Sequence, residues 1–398
     1  MWTGLDGTGP DQRGKLVDSL PATTLQPPAF LFATCQVGAE RALKSELART
    51  WPAFSFAYSR PGFLTFKLPR DHGLPDDFDL KSVFARAYGF SLGKVSDLSL
   101  DERAESVWKL AGNRAFDALH VWQREIAAVG HRGYEPQVAP AACEAENVLR
   151  QRWPGCSPSL PAPHARIAVA GQLVLDCILV EPDMWWLGYH RALDGQSCLP
   201  GGLVDIALPS EAVSRAYLKM EEALLWSGLP IRKGDRFAEI GCAPGGAAQA
   251  LLSRGLHVIG IDPAQIDPCV LADPNFTHVQ KRGSEVRRRE FRGVCWLAAD
   301  MNVAPEYTLD TLEAIVTHPT VNIRGLIMTL KLPDWNLAEQ IPAYLERIRS
   351  WGYPDVRAKQ LAHNRQEICV TALRGDAKKK PPTSSPRAQR AESKRPKR

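Results

Sequence analysis

The chain has no apolar run long enough to cross a bilayer. Its longest, such as Val174 to Val180 and Leu326 to Leu330, fall well short of the roughly 20 residues that a membrane helix needs, so no membrane partner is expected. Residues 1–28 carry acids, Gly and Pro rather than a cationic start followed by an apolar core, and a secretion signal is not expected. The nine cysteines form no C-x-x-C pair and no paired Cys/His spacing, which argues against a disulfide framework and against a metal site. Together these absences predict a cytoplasmic protein whose cysteines are mostly small buried hydrophobes.

What is present is enough apolar material for two or three cores: 398 residues, 44% of them hydrophobic. The net charge of +5 is unevenly placed. From Gly375 to Arg398 nine Lys/Arg face only Asp376 and Glu392, which leaves residues 1–374 slightly acidic. That tail has no apolar residue larger than Ala and is expected to be disordered, as either a phosphate clamp for nucleic acid or a solubilising extension.

Between an unpatterned extension (1–28) and this tail (375–398), three stretches stand out. Residues 29–100 read as a small ferredoxin-like α+β unit: strand Phe30 to Cys35, helix Ala39 to Thr50, strands Phe54 to Tyr58 and Phe63 to Leu68, a helix near Lys81 to Phe90, and a β segment at Leu92 to Leu98. Residues 101–195 repeat the rhythm, with strands at Ala118 to Trp122, Ala165 to Val169, Val174 to Val180 and Met184 to Tyr189 and a helix at Ala141 to Trp153. Trp185 and Trp186 could stack on bases but read better as half core. Residues 203–374 alternate strand and helix as a mostly parallel doubly wound α/β sheet does. Ser210 could cap a helix ending at Gly228. Strands follow at Arg236 to Ile240, Val258 to Ile261, Val294 to Ala299 and Leu326 to Leu330. The last two, Asp355 to Leu361 and Glu367 to Leu373, are joined by five residues, which permits only an antiparallel pairing.

The chemistry-bearing residues gather in this last stretch. Gly241-Cys-Ala-Pro-Gly-Gly246 follows a strand and opens a helix, so Gly241, Ala243, Pro244, Gly245 and Gly246 can bring backbone close to a nucleotide-like ligand. Asp262 ends the next strand, where an acid can accept ribose hydroxyls. Asp300 and Lys331 end two further strands, on the edge where ligands of open sheets bind. Glu367 begins the antiparallel strand and reaches the same edge; Lys219 comes from the preceding helix. Deprotonating a ribose 2′-hydroxyl during alkylation needs a base, and a lysine beside another cation loses its proton more readily. Lys331 is expected as base, Lys219 as the neighbouring cation, and Asp300 and Glu367 as orienting carboxylates.

These residues resemble the Lys-Asp-Lys-Glu tetrad of Rossmann-like S-adenosyl-L-methionine methyltransferases of the FtsJ type. More narrowly, Leu218-Lys-Met-Glu-Glu222, Leu330-Lys-Leu-Pro333 and Lys359-Gln-Leu-Ala-His-Asn-Arg-Gln-Glu367 are similar to the ribosomal RNA large subunit methyltransferase M family (RlmM-like). The resemblance implies 2′-O-methylation of a cytidine in 23S rRNA, free or in a pre-ribosomal large subunit, by a monomer. It also implies S-adenosyl-L-methionine as cofactor and an N-terminal arm with a THUMP domain. The family's cofactor-touching serine, three residues before the first lysine, is here Ala216, with Ser214 nearby. Its acid after the third strand is replaced around Lys281-Arg-Gly-Ser284. Basic residues Lys281, Arg282, Arg287 to Arg289 and Arg292 could grip rRNA phosphates. The alternatives are a THUMP-type RNA base N-methyltransferase, disfavoured because Asp300-Met-Asn-Val303 lacks the Pro-Pro-aromatic run, and a catalytically silent RNA-binding relic.

Overall fold

The computed structural model describes residues 27–153, 166–193 and 195–375, which build two seven-stranded sheets. The first runs through β1 (Phe30–Thr34), α1 (Glu40–Thr50), β2 (Ser55–Arg60), β3 (Phe63–Lys67), β4 (Ala87–Ser96), α2 (Leu100–Ala111), β5 (Ala118–Gln123), α3 (Pro140–Gln151), β6 (Leu173–Glu181) and β7 (Met184–Arg191). Its strand order is β2-β3-β1-β4-β7-β6-β5. The units expected in series, 29–100 and 101–195, therefore share one sheet, joined where β4 pairs antiparallel with β7.

Several local expectations in this arm are corrected. No helix forms over Lys81 to Phe90; that stretch leads into β4, which β1 needs as its second edge partner, and Thr34 and Ala87 bond side chain to backbone there. Residues 166–169 form no strand. Trp185 is buried, and Trp186 stacks on Tyr58 at 5.6 Å, so the pair packs within the arm as expected. Helix α2 begins at Ser99, whose hydroxyl accepts from Glu102 N while the Glu102 carboxylate accepts from Ser99 N, satisfying two of the free donors at a helix start. Of the eight described cysteines only Cys35, Cys177, Cys242 and Cys369 are buried, fewer than expected.

The second sheet carries α4 (Ala216–Ser227), β8 (Arg236–Ile240), α5 (Gly246–Ser253), β9 (His257–Ile261), α6 (Pro268–Leu271), β10 (Phe276–Val279), β11 (Trp296–Ala299), α7 (Pro305–Val316), β12 (Gly325–Lys331), α8 (Ile341–Ser350), β13 (Asp355–Lys359) and β14 (Glu367–Leu373). Its order is β10-β9-β8-β11-β12-β14-β13. The first five strands are parallel and β14 runs antiparallel to both neighbours, as the short connection required. Strands β12 and β14 are buried at every position but their last, because helices cover both faces and leave no polar side to alternate with. Strand β10 was implied only by the resemblance, as the third strand before Lys281, and had no pattern of its own; at four residues, with Thr277 and His278 inside it, it has almost no apolar signature. Ser210 caps nothing: its hydroxyl bonds Glu211, and α4 starts at Ala216. The helix does end at Gly228 in the left-handed region, φ 58°.

The arm packs against the hairpin edge of this sheet. Lys359 Nζ donates to the Ala85 carbonyl at 2.6 Å and Gln360 N to the Val83 carbonyl at 2.8 Å. From β1's end, Gln36 Nε2 donates to the carbonyls of Leu361, Ala362 and Asn364 at 2.7–3.3 Å. The loop that delivers Glu367 to its place is thus held from the arm side.

Candidate active site

Strand order reverses between β8 and β11, and this switch point is where an open α/β sheet leaves a crevice at its carboxyl edge. The glycine loop leaves β8 there and Asp300 leaves β11. Gly241 has φ 80°, and a Cβ on it would lie 2.6 Å from the Asp300 carbonyl; Gly245 has φ 121°. Only glycine fits such close, left-handed turns. A Cβ on Gly246 would collide with Ser214 Oγ, so Ser214 sits directly over the start of α5. Asp262 accepts from Ala243 N at 3.1 Å and from Ala264 N at 2.8 Å, tying the loop to the end of β9.

The four expected charged residues meet. Register in the β12–β14 ladder sets Lys331 opposite Glu367. Lys331 Nζ donates to Asp300 Oδ1 at 2.9 Å and to Glu367 Oε2; Lys219 Nζ donates to Glu367 Oε1 at 3.2 Å and to Asp300 Oδ2. Each amine thus bridges both carboxylates in a closed square. Their side chains are 5–21% exposed, partly screened from water yet reachable from the crevice.

Electrostatics here correct one expectation. Burial by itself would raise the Asp300 carboxyl, but Lys219 and Lys331 outweigh it and hold it below the ordinary aspartate value. Burial would likewise lower Lys331, but Asp300 and Glu367 outweigh it, and the amine holds its proton more tightly than an ordinary lysine. A neighbouring cation was expected to loosen that proton. In the resting site two carboxylates within bonding distance decide the sign instead.

Neither Glu222 nor Asn364, which support the square, nor Glu239 beside it was singled out from sequence. Glu222, buried in α4, accepts from Ala362 N, His363 N and His363 Nδ1 at 2.8–2.9 Å, clamping the loop before β14. Asn364 Nδ2 lies 3.4 Å from Glu367 Oε1. Both fall inside the stretches that carried the family resemblance, which was the available signal; Gln36, in the arm, had none. The third, Glu239 at the end of β8, lines a small cleft together with Lys219, Met220, Asp300, Ile327 and Asn364. Burial pushes Glu239 up to about 8, and its Oε2 has no hydrogen-bond partner. Lys281, Arg282, Arg287, Arg289 and Arg292 are exposed; Arg288 is half-buried, donating to the Val286 carbonyl.

Residues 212–336 match the FtsJ-like methyltransferase family model. The ribosomal RNA large subunit methyltransferase M of Aromatoleum aromaticum is 33% identical over 376 residues, 87% of this chain and 96% of that protein, and that of an Azoarcus species is 32% identical over 363 residues, covering 85% and 94%. The match to the Hahella chejuensis protein, 28% identical over 227 residues, spans about half of each chain, 54% of both. With a near full-length relative above 30% identity and the FtsJ-like match spanning the glycine loop, Asp300 and Lys331, the chain belongs to the ribosomal RNA large subunit methyltransferase M family.

Proposed function

We propose that this chain transfers a methyl group from S-adenosyl-L-methionine to a ribose 2′-hydroxyl of large-subunit (23S) rRNA, at a cytidine. The observation that carries the reading is the closed square: two lysines, each bridging the same two carboxylates, at the crevice edge beside the glycine loop.

The residues present fit the cofactor. Gly241, Ala243, Pro244, Gly245 and Gly246 form a backbone cradle that a Cβ at Gly241 or Gly245 would crowd, Asp262 retains acceptor capacity beyond its two backbone bonds, and Ser214 and Asp300 flank the loop. The unpartnered Glu239 Oε2 is a buried polar atom that a bound polar group would satisfy. When bound, S-adenosyl-L-methionine supplies an activated methyl group on a sulfonium.

Lys331 rests as an ammonium, so it acts as a base only in the fraction of molecules that have released a proton to solvent. In that fraction it is a strong base: taking the 2′-hydroxyl proton restores the ammonium that Asp300 and Glu367 stabilise. Lys219 keeps a positive charge beside the oxygen as it becomes nucleophilic, and its bonds to both carboxylates hold the square's shape. The arm, read as the THUMP-bearing RNA grip, sets the loop behind Glu367. Lys281 and Arg282 follow β10 at the crevice edge and add phosphate contacts.

The test is single-turnover transfer of labelled methyl to 23S rRNA fragments, followed by mapping of the label. Alkali-resistant label on a ribose, lost in Lys331→Met, supports the reading. Label on a base, or a folded protein that binds RNA and transfers nothing, overturns it.

A further inference from the structure

Three adjacent strands of the arm bring His120, Asp176 and His190 together, away from the square. The β5–β6 register sets His120 directly across from Asp176. In the β6–β7 ladder Asp176 faces Gly188, and His190 is two residues further along the same strand. Side chains two apart share a face, so all three project from one side of the sheet.

The bonding there is incomplete. His190 Nδ1 lies 2.6 Å from Asp176 Oδ2 and its Nε2 2.8 Å from the Ser197 carbonyl. His120 Nδ1 is 3.9 Å from Asp176 Oδ1, and both side chains are fully buried. Neither nitrogen of His120 nor Asp176 Oδ1 has a partner within hydrogen-bond distance, although the Cys198 backbone lies near enough to act on the His120 ring. A structural His190–Asp176 pair would account for two of these side chains but leaves the buried His120 with no side chain at bonding distance, which is rare in folded interiors.

We propose that His120, Asp176 and His190 hold a divalent transition metal of the zinc class. The three candidate ligand atoms all lie within 4.8 Å of one another, and two imidazoles with one carboxylate suit that ion. Ligands about 2.0–2.2 Å from a tetrahedral centre sit roughly 3.4 Å apart, so the His190–Asp176 contact must open by about 0.8 Å and the widest pair must close by up to about 1.4 Å. The Nε2–Ser197 bond is the outer contact that a metal-binding histidine usually makes, leaving Nδ1 for the ion. The remaining position faces a pocket bounded by Asp76, Arg86, Trp122 and Arg191. Arg86 does not oppose a cation there as a free charge, since it is bound to Glu125 and to the Gly201 carbonyl. The metal takes the place of the proton held between His190 and Asp176, which leaves to solvent. Its effect is to fasten the segment after β7, through Ser197, to the sheet that carries the arm. No spacing in the sequence could show this set, because each ligand comes from a different strand.

The test uses the full-length protein stripped with a chelator and then titrated with Co²⁺ and, separately, with Zn²⁺. One equivalent of Co²⁺ binding more tightly than roughly 10 μM, with visible d–d absorption that Zn²⁺ abolishes and a rise in the thermal midpoint, supports the site. His190→Gln and Asp176→Asn preserve volume and some hydrogen bonding; each should lose roughly 100-fold or more in affinity while circular dichroism shows the native fold. Absence of binding in the wild-type chain overturns the proposal. So does equal binding in the two folded variants, which would place the ion on cysteines elsewhere.

Discussion

Lys331→Met keeps most of the apolar stem and removes the amine that bonds both Asp300 and Glu367. Lys219 still reaches both carboxylates, so the square loses one corner rather than collapsing, and the partly exposed position limits the effect on stability. Loss of a general base lowers transfer by about 100-fold or more, which corresponds to about 2.7 kcal/mol of barrier. The pH dependence is a sharper consequence. Asp300 and Glu367 hold the Lys331 proton beyond the ordinary lysine value of 10.5, so the free-base fraction is small at neutral pH. The wild-type single-turnover rate should therefore climb roughly tenfold per pH unit from about 6 to 9, without a plateau. Glu367→Gln removes one of the two charges that retain the proton, and the rising limb should move to lower pH. Rapid-quench measurement of labelled methyl on rRNA fragments, with saturating cofactor, separates these outcomes. A flat wild-type profile together with full activity in folded Lys331→Met would refute the assignment of Lys331 as base.

Asp262→Ala removes the acceptor for Ala243 N and Ala264 N and a contact for the cofactor ribose; calorimetry should show S-adenosyl-L-methionine binding weakened by about 1 to 3 kcal/mol. Gln36→Ala leaves the carbonyls of Leu361, Ala362 and Asn364 without their shared donor. The single-turnover rate should fall while calorimetric cofactor affinity stays the same, and equal loss in both would mean general unfolding. Ending the chain at Arg374 removes nine Lys/Arg and two acids, and filter binding across salt concentrations should show weaker RNA affinity with a shallower salt slope. Asp300 is held below its ordinary value of 3.8, so its contribution to stability is complete above that pH and is lost as pH falls through the folded-state value. Asp300→Asn should flatten that acid limb in a series of thermal melts from pH 6 to 2.

Much of the catalytic half was legible because its signals are local. Gly241 to Gly246 needs backbone conformations that glycine supplies, and parallel strands buried on both faces leave continuous apolar runs. The link between the last two strands, read as five residues and seven in the structure, is too short for anything but a hairpin. From these the edge carrying Asp300, Lys331 and Glu367 follows without coordinates. The arm was less legible: β4 was read partly as a helix, because which strand completes the β1 edge depends on residues far away in the chain. Its two halves merged for the same reason, through β4–β7 pairing that no local pattern announces.

What the sequence alone determined, then, was the set of charged residues and the edge they share. Tertiary structure decided how they act on one another. Register put Lys331 opposite Glu367 at bonding distance, and two carboxylates at that range outweigh a neighbouring cation, so the amine keeps its proton where spacing had suggested it would lose it. Packing brought Gln36 from the start of the chain to the loop before β14, and three strands brought His120 and His190 to Asp176. Coulomb energies and hydrogen bonds depend on distances of a few ångströms, and such distances between residues far apart in sequence are set by sheet register and packing.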